Sequence, residues 1–541
     1  MHRSPKTMAV VTAAAAATLL AACSGGGGDD GAGTGDDAGQ PSAAPVSDGS
    51  FVLGVANDPG NLDPSMTVLS VTRTVSRLSY DTLVHQRQDG TFVSQLATDW
   101  EVGPQEIAFT LDPDVTCSDG SPLTATDVKD NIDYVSDPEN QSPLLGVFVP
   151  AGLTTEADDE AGTVTVTAPE PNAFLLHGFT NVFILCRSGL DDHDALAQET
   201  HGTGPWVLSE AVADDHYTYT RRADYAWGPD STTLEGDGVP EEVVVRVIAN
   251  PTTLTNLVLS GEVNAATVIG ADADRLDAEG VDKIELRSPQ GEFVFNQAEG
   301  QPGSDPEVRQ ALLQALNIEA LATVATGRED SQSVGLVTTE PQPCQGDTVS
   351  GNLPTYDVEA AASALDAAGW TAGPDGVRTK DGEPLAMTFV YPAGTGDSVA
   401  AAAELAEQMW REVGADVTLQ SVTSTQINEV LFATGDWDAG WVPLTVSLPS
   451  QLVPFFSGPA APDGTNFGHL DNTVYNENSV EALSTGDTEE ACALWNEAES
   501  ALISEGDVVP MFDAVAGVYL SGGTLQYPGG ELDGSSLRLG Q

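Results

Sequence analysis

The sequence predicts a mixed α/β protein. Short β-branched runs alternate with longer amphipathic stretches from Phe51 onward, and several of those stretches stop at a glycine. Phe51 to Val55 reads as a strand, and Val71 to Val84 as a helix with apolar positions at helical spacing. Ile107 to Leu111 and Thr163 to Ala168 read as strands, the second with TVTVT alternation. Glu242 to Ala249 is a β-branched run followed by a helix from Thr252 to Ser260 that ends at Gly261. Asp305 as N-cap and Pro306 in the first turn open a helix whose amphipathic part, Val308 to Ala325, runs to Gly327. Val358 to Ala368 repeats that pattern up to Gly369. Leu385 to Tyr391 is a strand, Val399 to Val413 a helix ending at Gly414, and Ala415 to Ser421 another strand. The chain has no short internal repeat.

Composition narrows the function. The 541 residues hold 19 Lys+Arg against 82 Asp+Glu, a formal net charge of −63. Such a chain is repelled by nucleic acid and anionic lipid headgroups, so a nucleic-acid partner is excluded. With 40% hydrophobic residues, 8 Trp, 10 Tyr and 15 Phe it can still bury a sizeable core, which places the acidity on a solvated surface. The length suggests about three domains. Only Lys6, Lys129, Lys283 and Lys380 are lysines, a balance suited to a salty exterior.

The N-terminus predicts the compartment. His2, Arg3 and Lys6 precede an apolar run, Met8 to Leu20, too short to span a bilayer, and Leu20-Ala21-Ala22-Cys23 closes it. Residues 1–22 read as a lipoprotein signal peptide, and Cys23 as the thiol that takes a diacylglyceryl group. The Gly-, Ser- and Asp-rich residues 23–50 form a lipidated tether, and the lipid is the expected membrane attachment, on the outer face of the cell membrane. Cys117, Cys186, Cys344 and Cys492 remain. In an oxidising compartment they make two disulfides, and of three pairings Cys117 with Cys186 and Cys344 with Cys492 keeps each bridge within one half of the chain; buried free thiols are the alternative.

The search for catalytic chemistry is nearly empty. There is no HExxH, GxSxG or zinc cysteine set, and the histidines show no ligand spacing, so no catalytic residue, metal or cofactor is assigned. Ser118-Asp119-Gly120-Ser121-Pro122 is a turn, and Thr124 to Asp127 caps a helix. Gly202-Thr203-Gly204-Pro205 lacks a P-loop ending and reads as a tight chain crossover. Asp191-Asp192-His193-Asp194 reads as a solvated acidic turn, and Asp375-Gly376 and Asp381-Gly382 as hairpin turns.

Collinear blocks then carry a resemblance. They are Asn61-Leu62-Asp63-Pro64, Tyr80-Asp81-Thr82-Leu83-Val84, Leu96 to Glu101, Phe109 to Val115, Ser118 to Val128, Gly202 to Pro205, Ser260 to Val263, Phe295-Asn296, Val308 to Leu312 and Ala368 to Trp370. In this order they resemble the family 5 extracellular solute-binding proteins, the peptide/nickel class that serves ABC importers. Asp112 stands where that family usually has arginine, and Cys117 where an aromatic is common. The resemblance implies a two-lobed periplasmic-binding-protein-like fold of class II type with an additional small domain: residues 51–88 with 200–285 and 500–541 as lobe I, 89–199 as the extra domain II, and 286–499 as lobe III. It implies a monomer that takes a peptide or other small organic solute into an interlobe cleft and hands it to permease subunits. A ligand sensor or adhesin on the same scaffold, or a secreted hydrolase, are the alternatives. Asp436 to Thr445 resembles the family's cleft strand, so Trp437, Gly440, Trp441, Val442, Leu444 and Thr445 are expected against ligand, with Tyr80 and Asn296 across the hinge. Peptide-binding relatives place an aspartate three residues after that second Trp to hold the ligand's ammonium; Leu444 occupies the position and cannot balance a desolvated cation. Plain core packing is the competing account of Trp437 and Trp441.

Overall fold

A computed structural model describes residues 49–540 apart from 394–396, 443 and 445. The signal peptide, Cys23, nearly all of the tether and Thr445 lie outside the described residues. Three sheets organise the rest. The first has seven strands with Ser50–Val55 near its middle, parallel to Glu242–Val247 on one side and Ala265–Val268 on the other. Alternation orients it: Phe51, Val243 and Val245 are fully buried while Glu242 and Arg246 reach toward solvent. The second is a four-stranded antiparallel sheet in which Val164 and Val166 of TVTVT, with Ile107 and Phe109, point into the core. The helix Ala125–Ser136 covers it through Val128, Ile132 and Val135, and starts at a capping box between Thr124 and Asp127.

The third sheet runs Asp416–Val422, Ala386–Pro392, Ala439–Val442, Glu292–Phe295, Val508–Pro510. Phe293 and Phe295 face one side, toward the helices Pro306–Gln314, Ile318–Thr326 and Asp397–Glu412. Val294 faces the other, toward Thr473–Ser484 and Thr488–Ser504. The chain passes between the first and third sheets twice, at Gln290-Gly291 after strand Asp282–Pro289 and at Met511-Phe512 before strand Asp513–Leu520. The crossings lie side by side: Gln290 N donates to Phe512 O and Met511 N to Gly291 O. Strand Val508–Pro510 therefore belongs to the third sheet and Asp282–Pro289 to the first, so the sheets change hands later in the chain than the expected boundaries at 285 and 499.

Two helices depart from expectation. The first ends at Ser79, five residues before Val84, because Tyr80 turns extended (φ −131°) and its ring is buried against Phe183, Leu185 and Leu196. The expected helix from Val308 to Ala325 is two: Asn317 leaves helical geometry and caps Ala320 N, starting a second helix that ends at Gly327. Both disulfides join the expected cysteines, Cys117 to Cys186 and Cys344 to Cys492. Gly376 and Gly382, both with positive φ, turn a three-stranded meander at the two Asp-Gly pairs.

Candidate ligand-binding cleft

A cavity of about 560 Å³ opens between the elements of the first and third sheets. One wall is the helix Ser70–Ser79 with segments 147–148, 177–181 and 527–532; the other is 339–343 with 447–448; Leu286 to Ser288 and Ala516, next to the two crossings, form the floor. The opposing wall is braced from within. Glu499 accepts from Leu336 N and Thr348 Oγ1, Asp513 accepts from Ser333 and Thr338, and the Cys344–Cys492 disulfide pins the loop to helix Thr488–Ser504.

Arg73 and Arg77 lie one turn apart and so share a face of their helix, the one turned to the cavity. Between them sits the carboxylate of Glu531, which accepts from Arg73 Nε at 3.3 Å and from Arg77 Nη2. Arg73 also donates to Asn181 Oδ1 at 2.9 Å and lies over the Phe148 and Phe183 rings, 4.7 and 4.9 Å from their centres. Its side chain is only 5% exposed. Burial alone would raise the Glu531 carboxyl, but the Arg77 and Arg73 guanidiniums outweigh it and hold it at about 2. His85 and His177, also on the wall, are each pushed down to about 4, chiefly by burial, and are neutral at pH 7. Arg287 and Glu340 complete the charged lining. The lining thus holds three arginines and two glutamates in a chain of net charge −63, with Arg287 also paired to Asp330 behind it at 3.5 Å.

A second space of about 510 Å³ adjoins the first, sharing Val147, Phe148 and Leu448 with it. Its lining is mostly apolar and aromatic, with Phe174, Leu175, Val446, Pro454 and Phe455, and Asn172, Ser450 and Gln451 as the polar members. Among the described residues no group of three or more His, Cys, Asp or Glu is arranged to hold a metal ion.

None of the described residues expected against ligand lines either space. Trp441 is 1% exposed and meets Phe512 edge-on at 4.9 Å, in the core between the third sheet and its helices. Trp437 is equally buried on the opposite face against Phe467 and the Gly440 backbone, and Val442 joins it there. Asn296 donates to Trp437 O at 2.9 Å and accepts from Ala298 N, so it ties two strand ends together. Tyr80 packs under Gly202 and Gly204, where any Cβ would fall within 2.4 Å of Tyr80 or Ser79 atoms; the GTGP segment is the tight crossing expected. Leu444 N donates to Glu292 Oε2 at 3.0 Å, and burial raises that carboxyl well above its usual range. Beyond this bond the chain carries Val446 to Leu448 into the lining of the two spaces. The sequence does not single out Arg73, Arg77 and Glu531; their trace in it is an Arg-x-x-x-Arg pair in a chain poor in cations.

Residues 91–463 match the family described as bacterial extracellular solute-binding proteins, family 5 Middle. The nickel-binding periplasmic protein of Escherichia coli K12 is 25% identical over 463 residues, 80% of this chain and 83% of that protein. The crystal structure of a substrate-binding protein of Microbacterium hydrocarbonoxydans, complexed with 4-hydroxybenzoate hydrazide, matches with TM-score 0.65 and 26% identity, covering 91% of this chain and all (100%) of that one. The ABC transporter substrate-binding protein CtaP of Listeria monocytogenes shares the fold with TM-score 0.76 at 19% identity, over 92% of this chain and 100% of that one.

Proposed function

The chain belongs to the family 5 bacterial extracellular solute-binding proteins, and from that premise we propose that it captures a peptide or other small organic solute in the cleft described above and delivers it to the permease of an ABC importer. The observation that carries this is the cavity of about 560 Å³ set between two sheets that, among the described residues, are joined by two adjacent crossings of the chain. Such a connection lets the halves rotate about residues 290–291 and 511–512, so that solute binding and closure become one event and water is expelled from around the buried groups. The protein acts as a monomer without catalysis, held outside the membrane by the lipid on Cys23.

Two measurements test this. The full exported chain should be stabilised against heat by its solute, and mass spectrometry after incubation with that solute should return it chemically unchanged; turnover would sink the reading. Replacing Cys23 with Ala should release the protein into the medium or leave its leader attached, and wild-type fractionation with an unmodified mature N-terminus would remove the anchor.

A further inference from the structure

Resting on that reading of the cleft, we propose that the solute is a small amphiphilic organic anion, its carboxylate held by Arg73 and Arg77 with Arg287 and its apolar part seated between Phe148, Phe174, Phe455 and Leu448. The first support is where the charge lies. A surface this acidic repels anions, and the cleft is nonetheless lined by three arginines against two glutamates. Glu531 satisfies one positive charge, and two guanidiniums converge on it. Burying the second arginine costs free energy that no protein carboxylate among the described residues of the cluster offsets, and burial accordingly depresses Arg73 below its ordinary value, against the opposing pull of Glu531. Arg77 Nε is buried without a partner. An incoming carboxylate supplies the missing charge with the planar two-oxygen geometry that guanidinium binds best.

Second, the two spaces are chemically unlike and adjoin, with Val147, Phe148 and Leu448 between them. Phe148 serves both, since its ring stacks under Arg73 while lining the apolar space. A ligand spanning both has one charged end and one apolar end. Third, no acid lines the apolar space to receive an ammonium. A zwitterionic peptide with its N-terminus in the apolar space would leave its ammonium desolvated and unpaired there.

The test is a binding series on the full chain with defined probes: phenylacetate and octanoate, their neutral amides phenylacetamide and octanamide, the cation phenethylamine, and inorganic phosphate. The carboxylates should stabilise the protein and bind about tenfold or more tighter than their amides, with affinity falling as salt rises, while phosphate, lacking a tail, binds more weakly still. Arg77→Gln should erase the acid-over-amide preference and Arg77→Lys restore part of it. Because Arg77 is also a packing residue, Arg287→Gln, at a one-third exposed site, should lower the same preference severalfold in a protein that folds normally. Phe455→Ala should weaken octanoate and leave phosphate unchanged. Amides or phenethylamine binding as tightly as the acids, or no stabilisation by either carboxylate, overturns the anionic class. A neutral solute or peptide that binds with Arg287→Gln unchanged would do so while leaving the solute-binding reading intact, whereas turnover of a bound solute would remove that reading itself.

Discussion

Glu531 shows how single groups set the pH behaviour of this protein. Its folded pKa of about 2 lies below the ordinary value of 4.5, so it contributes stability at and above about pH 4.5 that is lost as pH falls toward 2. His85 and His177 act earlier. Their folded values of about 4 lie below the ordinary 6.5, so the folded state resists protons that the unfolded chain accepts, and stability is lost between about pH 6.5 and 4. We predict a first decline in melting temperature across the histidine window and a second below pH 4.5. Glu531→Gln should shrink the second and lower stability at pH 7 by about 2 to 3 kcal/mol, since it leaves two guanidiniums facing a neutral group. Glu292 has the opposite sign: burial raises it, so stability falls as pH rises above the ordinary carboxyl range, and Glu292→Gln, which keeps an acceptor for Leu444 N, should remove that slope and melt higher at neutral pH. These four residues could not be read from the sequence, because their environments are assembled from far away. Glu531 lies 458 residues from Arg73 and 454 from Arg77.

Among the elements, the strands were legible because their alternation is local: Val164 and Val166, Val243 and Val245 announce their buried faces. The end of the first helix was not. It is set by Gly202 and Gly204 crossing over Ser79 and Tyr80, a contact between segments more than a hundred residues apart. Gly204→Ala should therefore cost on the order of 3 kcal/mol or more, since its Cβ would sit 2.3 Å from Ser79 backbone, and should be seen as a lowered unfolding midpoint or loss of soluble protein. An unchanged midpoint would refute the crossing as the cause of the helix end. The Gly-Trp segment is a strand of the third sheet, Ala439–Val442, but sequence similarity does not say which of its faces is covered. Phe512, arriving from the second crossing, closes over Trp441. Trp441→Ala should behave as a core truncation, losing about 3 to 5 kcal/mol of stability, with solute affinity unchanged in the protein that remains folded. The disulfide Cys344–Cys492 braces one wall of the cleft, so its reduction should weaken solute binding before it unfolds the domain, measured as a loss of affinity at a temperature where the circular dichroism is unchanged.

At the scale of the whole molecule, a net charge of −63 and an arginine-lined cleft fit together. The exterior keeps the chain dispersed, while the interior holds the cations that a solute can reach. On the proposed function, the two crossings at Gln290-Gly291 and Met511-Phe512 are where those surfaces would move. Where the chain changes sheets is not legible in the sequence, because the final stretch of third-sheet strand, Val508–Pro510, looks no different from the first-sheet strand beginning three residues later. On this reading solute enters between the helix Ser70–Ser79 wall and the loop around Leu448, not beside Trp441. Hydrogen exchange of the full chain with and without bound solute separates the two places. Slowed exchange is expected in residues 68–86 and 527–532 together with 339–343 and 447–448, the two walls of one cavity. Protection confined to 437–442, with those walls unchanged, would contradict entry at this cleft.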